Sequence, residues 1–233
     1  MSSTAPDKPF FDALLTEGND LWSAIMRCNA HPVARTEDWS LLPVSARSSL
    51  EQWLAQVPDS GRNALDMEKS VTFVWNFEEE SRKLALLDDA QLCRLAAVVG
   101  VTIHAPALAR IVERQARLQC REALGESLFD YAQTRGQYQT GAAGDIMAKR
   151  DTDLPLPERC HLHGWLSLYF CSLRWPTELR GVFQRRLALI GPEASKVNVR
   201  DALSEADWQI LWRLLKKCLL REVAPTWASY FNA

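Results

Sequence analysis

The chain has four histidines and six cysteines, the side chains that most often form structural zinc sites. Their densest cluster is Cys160-His161-Leu162-His163, with Cys171 further along the chain. On a helix, residues two positions apart point about 200° apart, so His161 and His163 could not share one ion. No C-x-x-C pair is present to complete a zinc site. We interpret the cluster as partly exposed residues at the start of a helix and predict no metal and no cofactor.

Nucleophilic catalysis would need a serine or cysteine beside a histidine that a carboxylate orients. The available histidines are His31, His104, His161 and His163. No G-x-S-x-G turn and no glycine-rich phosphate loop accompanies a serine, cysteine or lysine. The acidic run at 78–80 is typical of a solvated first helical turn, where negative charge meets the helix dipole favourably. The sequence therefore predicts no catalytic residues and no enzyme.

Arginines provide a sharper pattern. Arg110, Arg114, Arg117 and Arg121 are spaced so that a single helix running through them would gather all four within about 60° of one face. Three interpretations stay open: an ordinary solvated face, a docking surface for an acidic partner protein, or a site for phosphate or nucleic acid. We predict these four arginines as the partner-binding residues.

The alternative function is that of a helical nucleic-acid-binding protein that uses this stripe. The formal net charge of −2 gives no general attraction for a polyanion, and no aromatic residues interleave with the arginines to stack on bases. A second candidate surface is the aromatic stretch VTFVWNF at 71–77, for which burial in the core is the competing interpretation.

The composition is that of a globular protein, with 233 residues, 47% of them hydrophobic and 24% charged. The N-terminus has no basic region followed by an apolar one, so we expect no secretory signal. The cysteines are scattered, and in the absence of a signal we expect them to be free and buried. These features predict a cytosolic protein.

The elements that would position such residues follow the helical period. Within residues 94–112, Gly100 suits the end of one helix and Pro106 the first turn of the next, which predicts a tight corner between two helices. Asp88 or Asp89 suits the N-cap of the first, and Ser204 with Asp207 forms a capping-box-like pair before an inward stripe of larger apolar residues. That stripe consists of Trp208, Leu211, Trp212, Leu215, Cys218 and Leu219.

The fold class predicted from these patterns is all-α, with about seven to nine helices in one compact domain over 1–233 and at most one short extended segment near 71–77. Residues 136–158 contain three glycines and two prolines and few large apolar side chains. We predict a mobile loop or internal linker there.

The segment 85–132 resembles the central region of the YscK/SctK/OrgA family. The elements that carry the resemblance are LCRLAAVVG (92–100), APALARIV (105–112) and REALGESLFDYA (121–132), and CNAHPVARTEDWSLLP (28–43) resembles the family's N-terminal region more loosely. Members of that family are helical, non-enzymatic, cytosolic accessory subunits of bacterial type III secretion systems.

The resemblance implies a place in the sorting platform beneath the injectisome, and hence a role in protein transport and virulence. The chain would be an adaptor that links the cytoplasmic domain of the inner-membrane ring protein to the pod protein of the platform. It would lie in the cytoplasm, at the cytosolic face of the inner membrane when assembled, and would meet the membrane only through its protein partners. The family has no catalytic motif to carry over to this chain.

Overall fold

The computed structural model describes residues 24, 25, 28, 77, 79–147, 150, 153–191 and 203–231. Within these ranges the chain is all-α, as the sequence predicted, and has no strand. Short 3-10 helices occupy Glu80–Leu86, Gly136–Tyr138 and Pro225–Trp227, and a π-helix occupies Leu219–Val223. The α-helices of the described residues are α1 (Asp89–Ala109), α2 (Arg114–Leu124), α3 (Glu126–Thr134), α4 (Ala143–Met147), α5 (Leu156–Ser172), α6 (Thr177–Ile190), α7 (Glu205–Cys218) and α8 (Ala228–Phe231).

Two compact units divide the chain, one formed by residues 1–87 with 175–183 and the other by 88–174 with 184–233. In the first unit, the Trp175 indole Nε1 donates a hydrogen bond to Ser81 Oγ at 2.8 Å. The ring of Trp175 also packs on Phe183, with the ring centroids 4.7 Å apart. Through Ser81, the 3-10 helix Glu80–Leu86 thus contacts Trp175, whose ring packs on the buried Phe183. The single domain predicted for 1–233 stays a prediction.

Helix α1 is the central element of the second unit. Asp88 caps it, because its carboxylate accepts from the Gln91 N–H at 2.7 Å while Gln91 Oε1 accepts from the Asp88 N–H at 3.0 Å. The cap predicted at Asp88 or Asp89 is thus confirmed at Asp88. The corner predicted within 94–112 is wrong, because α1 runs without interruption through Gly100 and Pro106.

Close packing against α5 explains Gly100. A Cβ atom at this position would lie 1.9 Å from the carbonyl oxygen of Cys160, and a Cβ at Gly164 would lie 2.0 Å from the carbonyl oxygen of Ala96. Each of the two helices therefore carries a glycine where the other helix's backbone passes. Gly100 lies mid-helix because the crossing requires it, although glycine inside a helix costs about 1 kcal/mol relative to alanine.

Pro106 also lies within α1, and its missing N–H leaves the carbonyl of Thr102 without the usual helical donor. Thr140 takes that place, since its hydroxyl donates to the Thr102 carbonyl oxygen at 2.6 Å. The Thr102 hydroxyl in turn donates to the Val98 carbonyl at 2.7 Å and lies 3.1 Å from the Tyr131 hydroxyl of α3. These polar contacts are buried and fix α3 against α1.

Helix α1 is long enough and apolar enough to cross a membrane. Among the described residues it is the one helix that meets both criteria. Its most apolar window has a mean hydropathy of 1.6, and 67% of that window is buried inside the fold. A core helix of a globular protein has the same properties. The packing of α1 against α5 and α3 accounts for its apolar character without a membrane.

Helix α7 follows the sequence prediction closely. Ser204 is its N-cap and accepts from the Asp207 N–H at 3.1 Å, and every member of the predicted inward stripe from Trp208 to Leu219 is buried. The candidate extended segment at 71–77 lies outside the described residues except for Phe77, which is fully buried. Short helices fill part of 136–158, and the loop or linker proposed for that range stays a prediction.

Candidate protein-interaction surface

The four arginines of the predicted stripe do not lie on one helix. Helix α1 ends at Ala109, and Arg110 is its C-cap, with its backbone N–H bonded to the carbonyls of the last turn. Residues 111–113 are not helical, and α2 begins at Arg114. The condition for one common face, a single helix through all four, is therefore not met, and the stripe is reduced to Arg114, Arg117 and Arg121 on α2.

These three arginines line a surface groove with a cavity volume of about 360 Å³. We call it the α2 groove, and its other lining residues are Val112, Leu118 and Phe129. Val112 is 93% exposed and Leu118 is 49% exposed, whereas Phe129 of α3 is buried and forms the floor. Apolar side chains that stay exposed between charged ones are typical of surfaces that another protein covers.

Gly125 sets the arrangement of α2 and α3. Its φ of +84° is a conformation that L side chains rarely adopt, and this residue separates the two helices. The turn returns the chain so that α3 packs beside α2. As a consequence, the groove has arginines on one helix and an aromatic floor from the next.

Arg121 is largely committed to contacts within the chain. Its guanidinium bonds Asp130 Oδ1 at 2.9 Å and lies 3.5 Å from Glu126 Oε1. It also lies over the Phe129 ring, with Cζ 5.7 Å from the ring centroid. Ion pairs at this level of exposure stabilise a protein by about 0–1 kcal/mol, so they orient Arg121 more than they hold the fold.

Arg117 is partly committed. Its Nη2 donates to Gln133 Oε1 at 3.0 Å, and its Cζ lies 6.0 Å from the centroid of the Phe129 ring. No carboxylate pairs with it among the described residues, so its charge is not neutralised. Arg114 is exposed, and within the described ranges it has no recorded ion pair or hydrogen bond of its side chain. The positive charge offered to a partner is therefore concentrated at Arg114 and Arg117.

The cysteine–histidine cluster has another role than the sequence suggested. Cys160 and His163 are buried on α5 rather than partly exposed, and the His163 Nδ1 lies 2.8 Å from Nε2 of His104 on α1. Among the described residues, no group of three or more His, Cys, Asp or Glu could hold a metal ion. Burial raises the pKa of the Cys160 thiol to about 12, so this thiol stays protonated at neutral pH.

Sequence reasoning missed the pair of His104 and His163. The two rings lie 59 residues apart in the chain and meet only because α1 and α5 cross at Gly100 and Gly164. Burial lowers the pKa of His104 to about 3, with smaller contributions from the nearby His163 and Arg159. One of the two facing ring nitrogens carries the hydrogen of their bond and the other accepts it, and burial favours the neutral form of His104.

The acidic run at 78–80 is described from Glu79 onward. Glu79 accepts a hydrogen bond from the Ser81 hydroxyl and forms an ion pair with Arg82 at 3.3 Å. Glu80 lies in the first turn of the 3-10 helix, as the sequence suggested for this run. Glu79 therefore has local partners at the start of a short helix.

No family model, curated protein or solved structure matches the chain.

Proposed function

We propose that this chain is a non-enzymatic cytosolic adaptor of a bacterial type III secretion system. In this role it joins the cytoplasmic domain of the inner-membrane ring protein to the pod protein of the sorting platform and so supports effector export. The α2 groove is the docking surface for an acidic segment of one of these partners. The observation that carries the proposal is an exposed apolar and cationic groove that no other part of the described chain covers.

The position of this groove in the sequence supports the proposal. All of its lining residues, from Val112 to Phe129, fall inside the segment 85–132 that resembles the YscK/SctK/OrgA family. The same segment contains α1, α2 and most of α3, which form part of the core and one surface of the second unit. The resemblance therefore covers a surface as well as a buried core.

The chemistry of the groove defines the partner. A segment that carries carboxylates would neutralise Arg114 and Arg117, and an apolar side chain beside them would cover Val112 and Leu118. Burial of one valine or leucine side chain contributes about 1.5–3 kcal/mol, whereas an ion pair at the rim contributes about 0–1 kcal/mol. We therefore expect the apolar contacts to supply most of the affinity and the arginines to supply orientation and association rate.

The test is a deletion strain together with binding of purified proteins. Deletion should abolish effector export, and the wild-type gene should restore it. The variant R114E/R117E should bind one of the two partners about tenfold more weakly or worse, because like charges would then face each other. The variant V112S/L118S should weaken the same partner without a change in net charge.

The matched control is R185E, a charge reversal at an exposed arginine of α6 outside the groove. Circular dichroism should show the same helix content for all variants, since the substituted side chains are exposed or half-exposed. Normal effector export by the deletion strain would refute the adaptor function. Unchanged binding of both partners by the two groove variants would refute the assignment of the α2 groove.

A nucleic-acid role for the same arginines makes a different prediction. Binding of a DNA or RNA oligonucleotide would fall steeply with salt and would be lost in R114E/R117E but not in V112S/L118S. The internal pairing of Arg121 with Asp130 and Glu126 already reduces the charge that a polyanion would meet. We therefore favour the protein partner.

A further inference from the structure

A second groove lies on the same unit, away from the residues of the first. It has a cavity volume of about 430 Å³ and brings the end of α3 and the following 3-10 helix against the end of α7 and the π-helix. We call it the Tyr138 groove, because Tyr138 lies in it with 79% of its surface exposed. Its other principal residues are Arg135, Gln139, Lys217, Arg221 and Glu222.

The groove is cationic because its one carboxylate, that of Glu222, already pairs with side chains of the chain itself. Glu222 is only 10% exposed; its Oε2 pairs with Arg135 Nη2 at 3.2 Å, and its Oε1 lies 3.4 Å from Gln139 Nε2. Arg135 itself remains 65% exposed and lies over the Tyr131 ring, with Cζ 5.5 Å from the centroid. Within the described chain, Lys217 and Arg221 have no recorded ion pair. The groove therefore contains three cationic side chains and one carboxylate, which already pairs with Arg135.

Backbone geometry at the same place is unusual. Leu219–Val223 forms a π-helix, closed by the Ala224 N–H bonded to the Leu219 carbonyl at 2.8 Å. Such turns are rare and occur often at functional sites. This one holds both Arg221 and Glu222 at the groove. The two unpaired cations, Lys217 and Arg221, also lie four residues apart, a like-charge spacing that stabilises nothing within the chain.

We propose that the Tyr138 groove is a second docking surface, which binds an acidic segment of a partner protein other than the one at the α2 groove. Carboxylates of that segment pair with Lys217, Arg221 and the exposed part of Arg135. The Tyr138 ring packs against an apolar or aromatic side chain between them. The inference rests on the proposed adaptor function, and it assigns the two partners to two separate surfaces of one unit.

A protein partner fits this surface better than a nucleic acid does. Tyrosine and arginine, together with tryptophan, are enriched among the residues that dominate binding energy at protein interfaces. Single-strand binding needs several aromatic rings in succession, whereas Tyr138 is the one exposed aromatic residue that lines this groove. The net charge of −2 also gives a polyanion no attraction to the chain as a whole.

The test is a matrix of variants against both partners, the purified cytoplasmic domain of the ring protein and the purified pod protein from the same bacterium. K217E/R221E should bind one partner about tenfold more weakly or worse while it binds the other as the wild type does. R114E/R117E should show the reverse preference. Y138A should weaken the same partner as K217E/R221E, and R185E should leave both interactions unchanged.

The outcomes distinguish failure of the adaptor function from failure of the assignment of the Tyr138 groove. If the wild type binds neither partner, the adaptor function is refuted, and this inference with it. If the wild type binds both but K217E/R221E binds both equally well, the inference alone is refuted. Loss of both partners in K217E/R221E with wild-type helix content would also refute it, because one surface would then serve both.

A labelled oligonucleotide of about 20 nucleotides, at low salt, supplies the remaining arm. Binding of this oligonucleotide by the wild type, lost in K217E/R221E while both protein partners still bind, would overturn the protein assignment. Absence of oligonucleotide binding beside a selective loss of one partner supports it.

Discussion

Acidification should weaken the fold through His104. This ring is buried on α1 and hydrogen-bonded to His163 on α5, and burial lowers its pKa to about 3 from an ordinary value near 6.5. The unfolded chain therefore binds a proton at His104 more readily than the native chain does. Stability that is present above pH 6.5 is lost as the pH falls below that value, and the loss continues down to the folded pKa.

The magnitude follows from the two pKa values. At pH 5 the unfolded state has taken up the proton and the native state has not, which lowers the free energy of unfolding by about 2 kcal/mol. Carboxylates contribute little over this range, because in the unfolded chain they titrate near pH 4. A loss of about 2 kcal/mol is substantial against the about 5–15 kcal/mol typical of a domain.

The assay compares urea unfolding at pH 7 and pH 5, followed by circular dichroism, for the wild type and for H104Q. A glutamine amide reproduces the position of Nε2, the atom that faces His163, but it does not titrate. The difference in unfolding free energy between the two pH values should therefore shrink by about 2 kcal/mol in H104Q. H161Q, at a half-buried position two residues from His163, serves as the control and should keep the wild-type difference.

Ring resonances of the histidines provide a direct check by NMR. The resonances that H104Q removes should show no protonation between pH 8 and pH 5. Two results would refute the reasoning: protonation of His104 near pH 6.5, or an H104Q variant with the same pH dependence of stability as the wild type.

The core of the second unit yields two further predictions. G100A should destabilise the protein by about 1–3 kcal/mol or more in urea unfolding, because its Cβ would lie 1.9 Å from the Cys160 carbonyl oxygen. Helix propensity alone would make alanine favourable at this position. A stabilised variant would therefore contradict the close crossing of the two helices. T140V should cost about 1–3 kcal/mol by leaving the Thr102 carbonyl without a donor, and P106A in the T140V background should recover part of that loss by restoring an N–H. Equal effects of T140V with and without P106A would show that the threonine does not replace the missing donor.

Local signals in the sequence were sufficient for the helix caps. The sequence predicts a cap at Asp88 or Asp89 and another at Ser204, because a capping side chain bonds to a backbone N–H only three residues away, and the bonds form at Asp88 and Ser204. The buried stripe of α7 was predicted for a similar reason, since a period of about 3.6 residues is set within one helix. For these caps and this stripe, residues within one or two helical turns were enough to identify the structure.

Features that depend on a distant partner could not be found in this way. Gly100 has the type expected of a helix end, but it serves a helix crossing that needs Gly164, which belongs to another helix. Pro106 has the type expected of a helix start, but Thr140 supplies the bond that lets it remain inside α1. Both residues were interpreted from their intrinsic preferences, and in both cases tertiary contacts outweighed the preference.

The arginine stripe shows the same division between local and distant effects. Spacing predicted a common face, and α2 does place Arg114, Arg117 and Arg121 in one groove. Spacing could not predict that Arg121 would meet Asp130 and Glu126, because that contact requires the turn at Gly125 that brings α3 back along α2.

A guanidinium that already pairs with a carboxylate gains little binding free energy from a second carboxylate. The four arginines are therefore not equivalent candidates for binding. The guanidinium of Arg121 lies over the Phe129 ring and pairs with carboxylates of the chain itself. Arg110 does not line the groove. The binding role predicted for the stripe therefore falls chiefly on Arg117 and on Arg114, which lies near the exposed Val112 in the same groove. Reversal of charge at Arg114 should consequently weaken a partner more than reversal at Arg110, although both side chains are exposed arginines only four residues apart.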